Sequence, residues 1–92
     1  GGHLMDTICS CTRVNNLQYR SSRNTIIYNL VREGTNQYGI ECYIKGHMDT
    51  DYCLCREISH DFSTAEKIFK LLSRKKVYPV HVKDILEDLY TY

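Results

Sequence analysis

Alternating apolar and polar side chains are the dominant pattern in the middle of the chain. A period of two residues places every second side chain on the same face of an extended strand. Three segments follow this period and are predicted strands: residues 25–32, 38–45 and 52–58. Turn residues fill the connections between them, and both connections are too short for parallel crossovers. The pattern therefore predicts an antiparallel meander of three strands.

The first 24 residues follow a weaker pattern. Leu17 and Tyr19 alternate with polar side chains, so a short fourth strand is expected around residues 16–20, before a turn at 20–24. The opening residues resemble an expression-tag remnant, and the polar stretch after them is expected to be flexible. The chain is thus predicted to divide into a tag remnant, a flexible N-terminus and one small domain: residues 1–5, 6–15 and 16–92.

After residue 58 the period changes to that of a helix. Ser63 and Glu66 have the spacing of a capping box, which predicts that Ser63 caps a first helix. Pro79 suits the first turn of a second helix. Two apolar stripes have helical spacing: Ala65, Ile68, Phe69 and Leu72, then Val82, Ile85, Leu86 and Leu89. The predicted fold class is α+β, an antiparallel meander of three or four strands followed by two helices packed on one face, with Phe69 central in the core.

Composition places the chain among small globular domains. Twelve Lys and Arg oppose eleven Asp and Glu, and the formal net charge is +1. That balance argues against a strongly basic nucleic-acid-binding module, so nucleic acid is not the expected partner. No apolar run approaches the roughly 18 residues of a membrane-spanning helix, so no membrane partner is expected. The eight Tyr residues indicate a thin, half-exposed sheet or a face buried against another molecule.

Five cysteines are the sharpest candidates for chemistry: Cys9, Cys11, Cys42, Cys53 and Cys55. An odd number without an export signal indicates reduced thiols in a cytoplasmic protein. Cys9 with Cys11, and Cys53 with Cys55, form Cys-x-Cys pairs, and four such thiolates are a ligand set for Zn²⁺. The spacing differs from that of the common zinc knuckle, and free cysteines are often ordinary apolar residues of strands. The structural interpretation is favoured, metal binding and a redox role are alternatives, and no metal or cofactor is expected.

A second group of candidates lies in the C-terminal helix. His81, Asp84 and Asp88 are spaced i, i+3 and i+7, so they share a helical face that offers ligands to a divalent metal. Structural roles are favoured for them, with partner contact and metal binding as alternatives. The tripeptide Ser59–Asp61 contains the residue types of a catalytic triad, but adjacent side chains cannot relay a proton. No phosphate-binding or hydrolase motif occurs, so no enzymatic activity is expected.

A third group is a basic segment, because residues 67–83 contain Lys and Arg but no acidic residue. A solvated helix face is the favoured interpretation. One alternative is contact with a phosphate backbone, with Tyr78 stacking on a base, through five cations: Lys67, Lys70, Arg74, Lys75 and Lys76. The other is a dipolar surface that meets another protein or a second copy of the chain. The candidate partner-binding residues are Tyr78, His81, Asp84, Glu87 and Asp88.

Three features together resemble a known family over roughly residues 25–90. They are the Tyr38-Gly39-Ile40 strand, Ile58 and Asp61 before the first helix, and the motif Val77-x-Pro79-x-His81-x-x-Asp84-x-x-Glu87-Asp88-Leu89. The chain resembles a family of short uncharacterised proteins from clostridia and related Firmicutes, classed as a domain of unknown function. The resemblance implies a bacterial, cytoplasmic protein and brings no activity, cofactor or partner with it.

The leading functional hypothesis is a non-enzymatic protein-binding, adaptor or regulatory module. A nucleic-acid-binding regulator and a cysteine metal-binding protein are the alternatives. A three-stranded meander leaves two open edges, and an N-terminal strand through Leu17 and Tyr19 would cover only one of them. The other edge is expected to pair with the same edge of a second copy across a two-fold axis, which predicts a homodimer with Tyr side chains in the contact. The alternative is a monomer whose open edge binds a different protein.

Overall fold

The structure is a computed structural model that describes residues 5–17 and 22–90. Four strands precede two helices along the chain. The strands are β1 (Met5–Leu17), β2 (Ser22–Glu33), β3 (Gln37–Ile44) and β4 (Tyr52–Ser59), and the helices are α1 (Phe62–Arg74) and α2 (Pro79–Tyr90). The predicted α+β class is confirmed, with the fourth strand present.

The strands form one antiparallel sheet in the order β1-β2-β3-β4, so each strand pairs with its neighbour in sequence. Ile26, Tyr28 and Leu30 of β2 are fully buried and lie opposite Ile44, Cys42 and Ile40 of β3. These residues define the inner face of the sheet, and both helices pack on it. The opposite face, here called the outer face, carries neither of the described helices.

The core lies between the inner face and the helices. The predicted stripe of α1 is buried, and Phe69 is only 6% exposed. In α2, Val82 and Leu86 are buried, while Ile85 and Leu89 are partly buried against the same core. The periodicity therefore identified the buried side of both helices. Neither described helix is long and apolar enough to cross a membrane.

Strand β1 occupies residues 6–15, for which the sequence predicts flexibility. Residues 16 and 17 of the short strand expected around residues 16–20 are the end of β1, and residues 18–21 lie outside the described residues. The sequence predicts a turn at residues 20–24, but residues 22–24 already belong to β2, which begins at Ser22. Pairing with β2 orders the N-terminal segment although its own side chains are mostly polar.

The cap of α1 differs from the prediction. Ser63 is inside the helix, and the cap is Asp61, whose carboxylate accepts the Thr64 amide at 2.9 Å and the Thr64 hydroxyl at 2.8 Å. Glu66 does not close a capping box but pairs with Lys70 at 3.8 Å. Asp61 caps the helix in place of Ser63 because its side chain accepts the hydrogen bonds of the first turn and its negative charge is stabilised by the positive end of the helix dipole.

Replacing Asp61 by Ala should lower the melting temperature by about 4–8 °C, a typical value for losing a helix cap in a domain of this size. The hydrogen bonds from Thr64 lower the pKa of Asp61, so the cap contributes above the ordinary carboxyl pKa and is lost as the solution becomes more acidic. Thermal melts at neutral pH measure the effect. The control is Ser63→Ala, and an equal loss in that variant would contradict the assignment of Asp61 as the cap.

A bulge in β4 faces a glycine of β3. The alignment of the two strands shifts between Tyr38 and Ile40, so residues 56–58 bulge opposite Gly39. Glu57, in the centre of the bulge, has a φ of 55°. A Cβ atom on Gly39 would lie 2.7 Å from the carbonyl oxygen of Cys55. The bulge therefore requires glycine at this position, and the regular part of β4 ends at Cys55.

Candidate functional site: a cleft at the sheet edge

A cleft of about 470 Å³ runs between β4 and α2. Its strand wall is formed by consecutive residues of β4, Leu54 to Ile58. Its helix wall is formed by Lys83, Leu86 and Glu87. Successive side chains of a strand point to opposite faces of the sheet, so a cleft on one face would be lined by every second residue. This cleft is lined by consecutive residues because it follows the edge of β4.

Helix α2 runs alongside β4 in the same direction. Just before the helix begins, the carbonyl oxygen of Val77 accepts the Tyr28 hydroxyl at 2.7 Å and lies 3.9 Å from the Cys42 sulfur, opposite Cys53. Further along, the charge of Lys83 acts on Cys55. The helix thus starts beside the beginning of β4 and follows it, which gives the cleft two parallel walls.

The edge of β4 that faces this cleft has no described strand beside it. The Ile44 amide donates to the carbonyl oxygen of Asp51 at 3.1 Å. Because bonded and non-bonded pairs alternate along antiparallel strands, every second residue of β4 bonds to β3. Tyr52 and Leu54 are the residues in between, so their N–H and C=O groups point to the open side. The regular half of β4 therefore offers main-chain donors and acceptors for another strand.

Charged side chains line the cleft. Arg56 lines it, but its guanidinium reaches over the sheet to Glu33, with Nε donating to one carboxylate oxygen at 2.6 Å and an NH2 group to the other at 2.5 Å. Lys83 remains as the cation near Cys55, and Glu57 and Glu87 are exposed carboxylates further along. The cleft is therefore lined by charges of both signs.

Three of the five cysteines come together on the inner face beside the cleft. Cys42 lies opposite Cys53, and the sulfurs of Cys53 and Cys55 are 3.5 Å apart. Burial raises the pKa of Cys42 to about 12. Burial, and after it the hydrogen bond with Cys53, raises the pKa of Cys55 to about 12 against the opposing charge of Lys83. Both thiols are therefore protonated at neutral pH, which makes them poor nucleophiles.

Cys42 and Cys55 should react with iodoacetamide at pH 8 about two to three orders of magnitude more slowly than a free thiol, because only the thiolate reacts. Because the pKa values of these thiols are raised, their alkylation rate should still increase with pH in the range where the alkylation rate of a free thiol has become constant. Mass spectrometry of the alkylated peptides follows each site separately. The urea-unfolded protein is the control, and equal rates in the native and unfolded chains would contradict burial of these thiols.

The two Cys-x-Cys pairs do not meet. Cys9 and Cys11 lie on β1, and two whole strands separate them from Cys53 and Cys55 on β4. Three strand spacings of about 4.8 Å amount to roughly 14 Å, far beyond a shared zinc ion with Zn–S bonds of about 2.3 Å. Within the part of the chain that the structure describes, no group of three or more His, Cys, Asp or Glu side chains is placed to hold a metal.

The candidate partner-binding residues on α2 lie on different sides of the helix. His81, Asp84 and Asp88 are exposed on the solvent side of the helix, and only Glu87 of the acidic residues lines the cleft. Tyr78 is partly buried against the core, and its hydroxyl accepts the Asn24 side-chain amide at 3.1 Å. The ring of Tyr78 thus has contacts within the domain, and its stacking on a base stays a prediction.

Five cations of the basic segment are exposed on one part of the chain: Lys67, Lys70, Arg74, Lys75 and Lys76. They lie on or directly after α1, whereas the cleft is bounded by α2. One of them, Lys70, is paired with Glu66. These five cations therefore form an exposed, positively charged surface separate from the cleft, whereas Lys83, the sixth cation of the segment, lines the cleft.

The outer face of the sheet carries a chain of side-chain hydrogen bonds across all four strands, here called the polar chain. The Ser10 hydroxyl donates to Asn29 at 2.7 Å, and the Asn29 amide donates to Glu41 at 2.8 Å. The Tyr52 hydroxyl donates to the other oxygen of Glu41 at 2.7 Å, and its ring stacks on Tyr43. Burial, followed by the hydrogen bond to Glu41, raises the pKa of Tyr52 to about 12. These groups satisfy one another within the domain.

Sequence reasoning missed most of the cleft. Leu54, Arg56, Glu57, Lys83 and Leu86 were not among the candidates, and only Cys55 and Glu87 were. The available signal was the open edge of the last strand, which the sequence does predict. The sequence does not reveal that α2 lies beside that edge, because this depends on the path of the chain after α1.

A family model matches residues 5–92, nearly the whole chain, and it is described as a family of unknown function (DUF6514). No curated protein and no solved structure matches the chain. The match confirms the expected membership of an uncharacterised domain family.

Proposed function

The chain belongs to the DUF6514 family of unknown function, and we propose that it is a non-enzymatic protein-binding module that accepts an extended segment of a partner as a fifth strand along β4. The observation that carries this proposal is the cleft between the open edge of β4 and α2. Strand addition uses main-chain hydrogen bonds for affinity and side-chain pockets for selectivity. This edge offers both.

The arrangement of the cleft supports the proposal in two ways. Tyr52 and Leu54 supply the outward main-chain groups. Ile58 supplies an apolar side chain from the strand wall of the cleft, and Leu86 supplies one from the helix wall. The thiols of Cys42 and Cys55 beside the cleft have raised pKa values and are protonated at neutral pH, so they favour a packing role over a catalytic one. A binding function therefore agrees better with this site than a reaction does.

Selection from a displayed library of random peptides tests the proposal. The wild-type domain should enrich peptides, and these should lose at least about tenfold in affinity on Leu54→Pro, which removes the outward amide donor. Leu54→Ala is the matched control, because it keeps the amide and removes most of the side chain.

A second measurement leaves the protein unchanged. Selected peptides N-methylated at alternate amides should bind more weakly in one of the two methylation patterns, because only alternate amides of an added strand face β4. Failure to enrich any peptide, or equal binding of both methylated forms and of Leu54→Pro, would overturn the proposal.

Nucleic-acid binding is the second candidate, and the exposed basic segment on α1 is the observation that favours it. Its signature is a gel shift of DNA or RNA that weakens steeply as salt increases. The charge-reversal variant Lys67→Glu with Arg74→Glu should abolish such a shift. A cytoplasmic, bacterial setting and the homodimer stay predictions.

A further inference from the structure

We propose that the free edge of β1 pairs with the same edge of a second copy of the chain, in antiparallel orientation about a two-fold axis at Ser10. The two four-stranded sheets then form one sheet of eight strands. Both β4 edges lie at the far ends of this joined sheet, because β1 and β4 are the two outermost strands. The dimer therefore goes beyond the proposed function and does not compete with it for the same edge.

The far edge of β1 has no described strand beside it and carries unpaired main-chain groups. The Lys45 amide donates to the carbonyl oxygen of Thr25 at 2.9 Å, so the odd-numbered residues of β2 are the ones that bond to β3. The even-numbered residues of β2 bond to β1, where their partners include Cys11. Ser10 and Thr12 lie on either side of Cys11, so their N–H and C=O groups point to the open side.

The register shift in β1 determines which of its side chains share a face. Ile8 is an extra residue between Thr7, which lies opposite Val31, and Cys9, which lies opposite Leu30. Directly opposite side chains of two paired strands lie on the same face of a sheet, so a second β1 must match this order. The inner face carries Asp6, Cys9, Cys11 and Arg13, and the outer face carries Met5, Thr7, Ser10, Thr12 and Val14.

An axis at Ser10 gives pairs between the two copies that match in face and in chemistry. Both members of every pair share a face, because the extra residue of each copy falls between two of the pairs. Thr–Thr pairs and opposite-charge pairs stabilise antiparallel strands. The sequence of β1 is therefore complementary to itself in this alignment. The pairs, each formed twice, are Cys9 with Cys11, Thr7 with Thr12, Asp6 with Arg13, and Met5 with Val14.

The charged and apolar members of these pairs are accessible in the single domain. Asp6 contacts Arg32 at 3.6 Å, yet its side chain is 67% exposed, so the carboxylate has room for a second cation. Arg13 is exposed, and its described hydrogen bond goes to the neighbouring main chain at 3.5 Å. Met5 is 40% exposed, and Val14 of a second copy would cover it. Pairing thus adds contacts at both ends of the edge.

Sedimentation at micromolar concentration tests the dimer and the edge that forms it. The wild-type domain should sediment as a dimer. Thr12→Pro should weaken the dimer at least about tenfold, because it removes the same outward amide donor from both copies. Thr12→Ala, which keeps the amide, is the matched control, and Leu54→Pro on the opposite edge should leave the dimer intact. A monomeric wild type, or a dimer that only Leu54→Pro dissociates, would overturn the inference.

Two charge-reversed variants test the alignment without altering the main chain. Asp6→Arg places cations opposite each other at both ends of the interface, and Arg13→Asp places carboxylates there. Each variant alone should dimerise about tenfold more weakly than wild type, because two attractions become repulsions. An equimolar mixture should recover a heterodimer, since every altered side chain then meets the opposite charge. Equal dimerisation of the mixture and the separate variants would contradict an axis at Ser10.

Cysteine cross-linking tests the same alignment in a protein with unchanged charges. Cys9 and Cys11 of the second copy form a non-hydrogen-bonded pair, with Cα atoms about 4.5 Å apart, which is within the range for a disulfide. Diamide, which accepts the two electrons and two protons released by the thiols, should join them between copies. Cys9→Ser and Cys11→Ser should each lose this link alone and regain it when mixed.

Isotope labelling of one variant lets mass spectrometry identify which copies the joined peptides come from. Peptides that join a labelled to an unlabelled chain through Cys9 and Cys11 would support the alignment. Links that form equally in the unmixed variants, or only through Cys53 and Cys55, would overturn it. Peptide binding along β4 is measured separately, so a failure of this inference leaves the proposed function in place.

Discussion

Replacing Phe69 by Ala should leave the domain largely unfolded at 25 °C. Phe69 is 6% exposed in the centre of the core between the sheet and α1. Truncating a buried Phe costs about 3–5 kcal/mol, which is comparable with the roughly 5 kcal/mol total stability of a small domain. Urea titration followed by circular dichroism measures the loss.

The other phenylalanine of the chain is a matched control. Phe62 also lies on α1, but it is 39% exposed, and its ring packs in an edge arrangement with the Tyr38 ring, with centroids 5.7 Å apart. Phe62→Ala should therefore lose no more than about 1.5 kcal/mol. A Phe69→Ala protein that melts close to wild type would show that the packing of α1 on the sheet is wrong.

Replacing Gly39 by Ala should destabilise the domain by about 1–3 kcal/mol and also impair the cleft. The added Cβ meets backbone atoms, 2.7 Å from the Cys55 oxygen and 3.3 Å from the Arg56 Cα, and backbone cannot rotate aside as a side chain can. Strands β3 and β4 must separate at the bulge. We expect chemical denaturation to report the loss of stability and amide exchange to report faster opening of β4.

A second glycine distinguishes crowding from backbone strain. Gly34 has a φ of 62° with nothing within 4 Å of an added Cβ, so Gly34→Ala is strained but not crowded. Its destabilisation, about 1–2 kcal/mol, should leave exchange along β4 unchanged in folded protein. If Gly39→Ala behaved in the same way, the close approach of β3 and β4 would be wrong.

The period of two residues predicted β2 and β3 because both have large apolar side chains on the inner face, whereas the inner face of β4 carries the small Cys53 and Cys55 beside the core. The period predicted an N-terminal strand only around residues 16–20 and missed the earlier part of β1, for two physical reasons. The inner-face residues of that strand include Cys9 and Cys11, which give a weak apolar signal, and a register shift between Thr7 and Cys9 breaks the alternation at Ile8. The segment therefore looked unstructured although it pairs with β2 along its length.

The cleft was less predictable than the fold. Patterns of apolar residues identify the faces that helices and strands bury, and they succeeded for Phe69 and Val82. The cleft depends on the relative placement of α2 and β4, and its lining residues follow no spacing in the sequence. The cysteine pairs had the clearest spacing, yet they lie at opposite edges of the sheet.

The polar chain on the outer face has a consequence for how the strands align during folding. Sliding one strand by a single residue exchanges its two faces, which would carry Asn29 or Glu41 into the apolar interior and separate them from their partners. Such a misaligned sheet leaves a buried amide or carboxylate without its hydrogen bonds, at a cost of about 1–3 kcal/mol or more for each group. The polar chain thus discriminates against incorrect strand alignments as well as stabilising the correct one. Four hydrogen-bonding side chains, one on each strand, thus add to the selectivity for register that the buried apolar residues of the inner face impose.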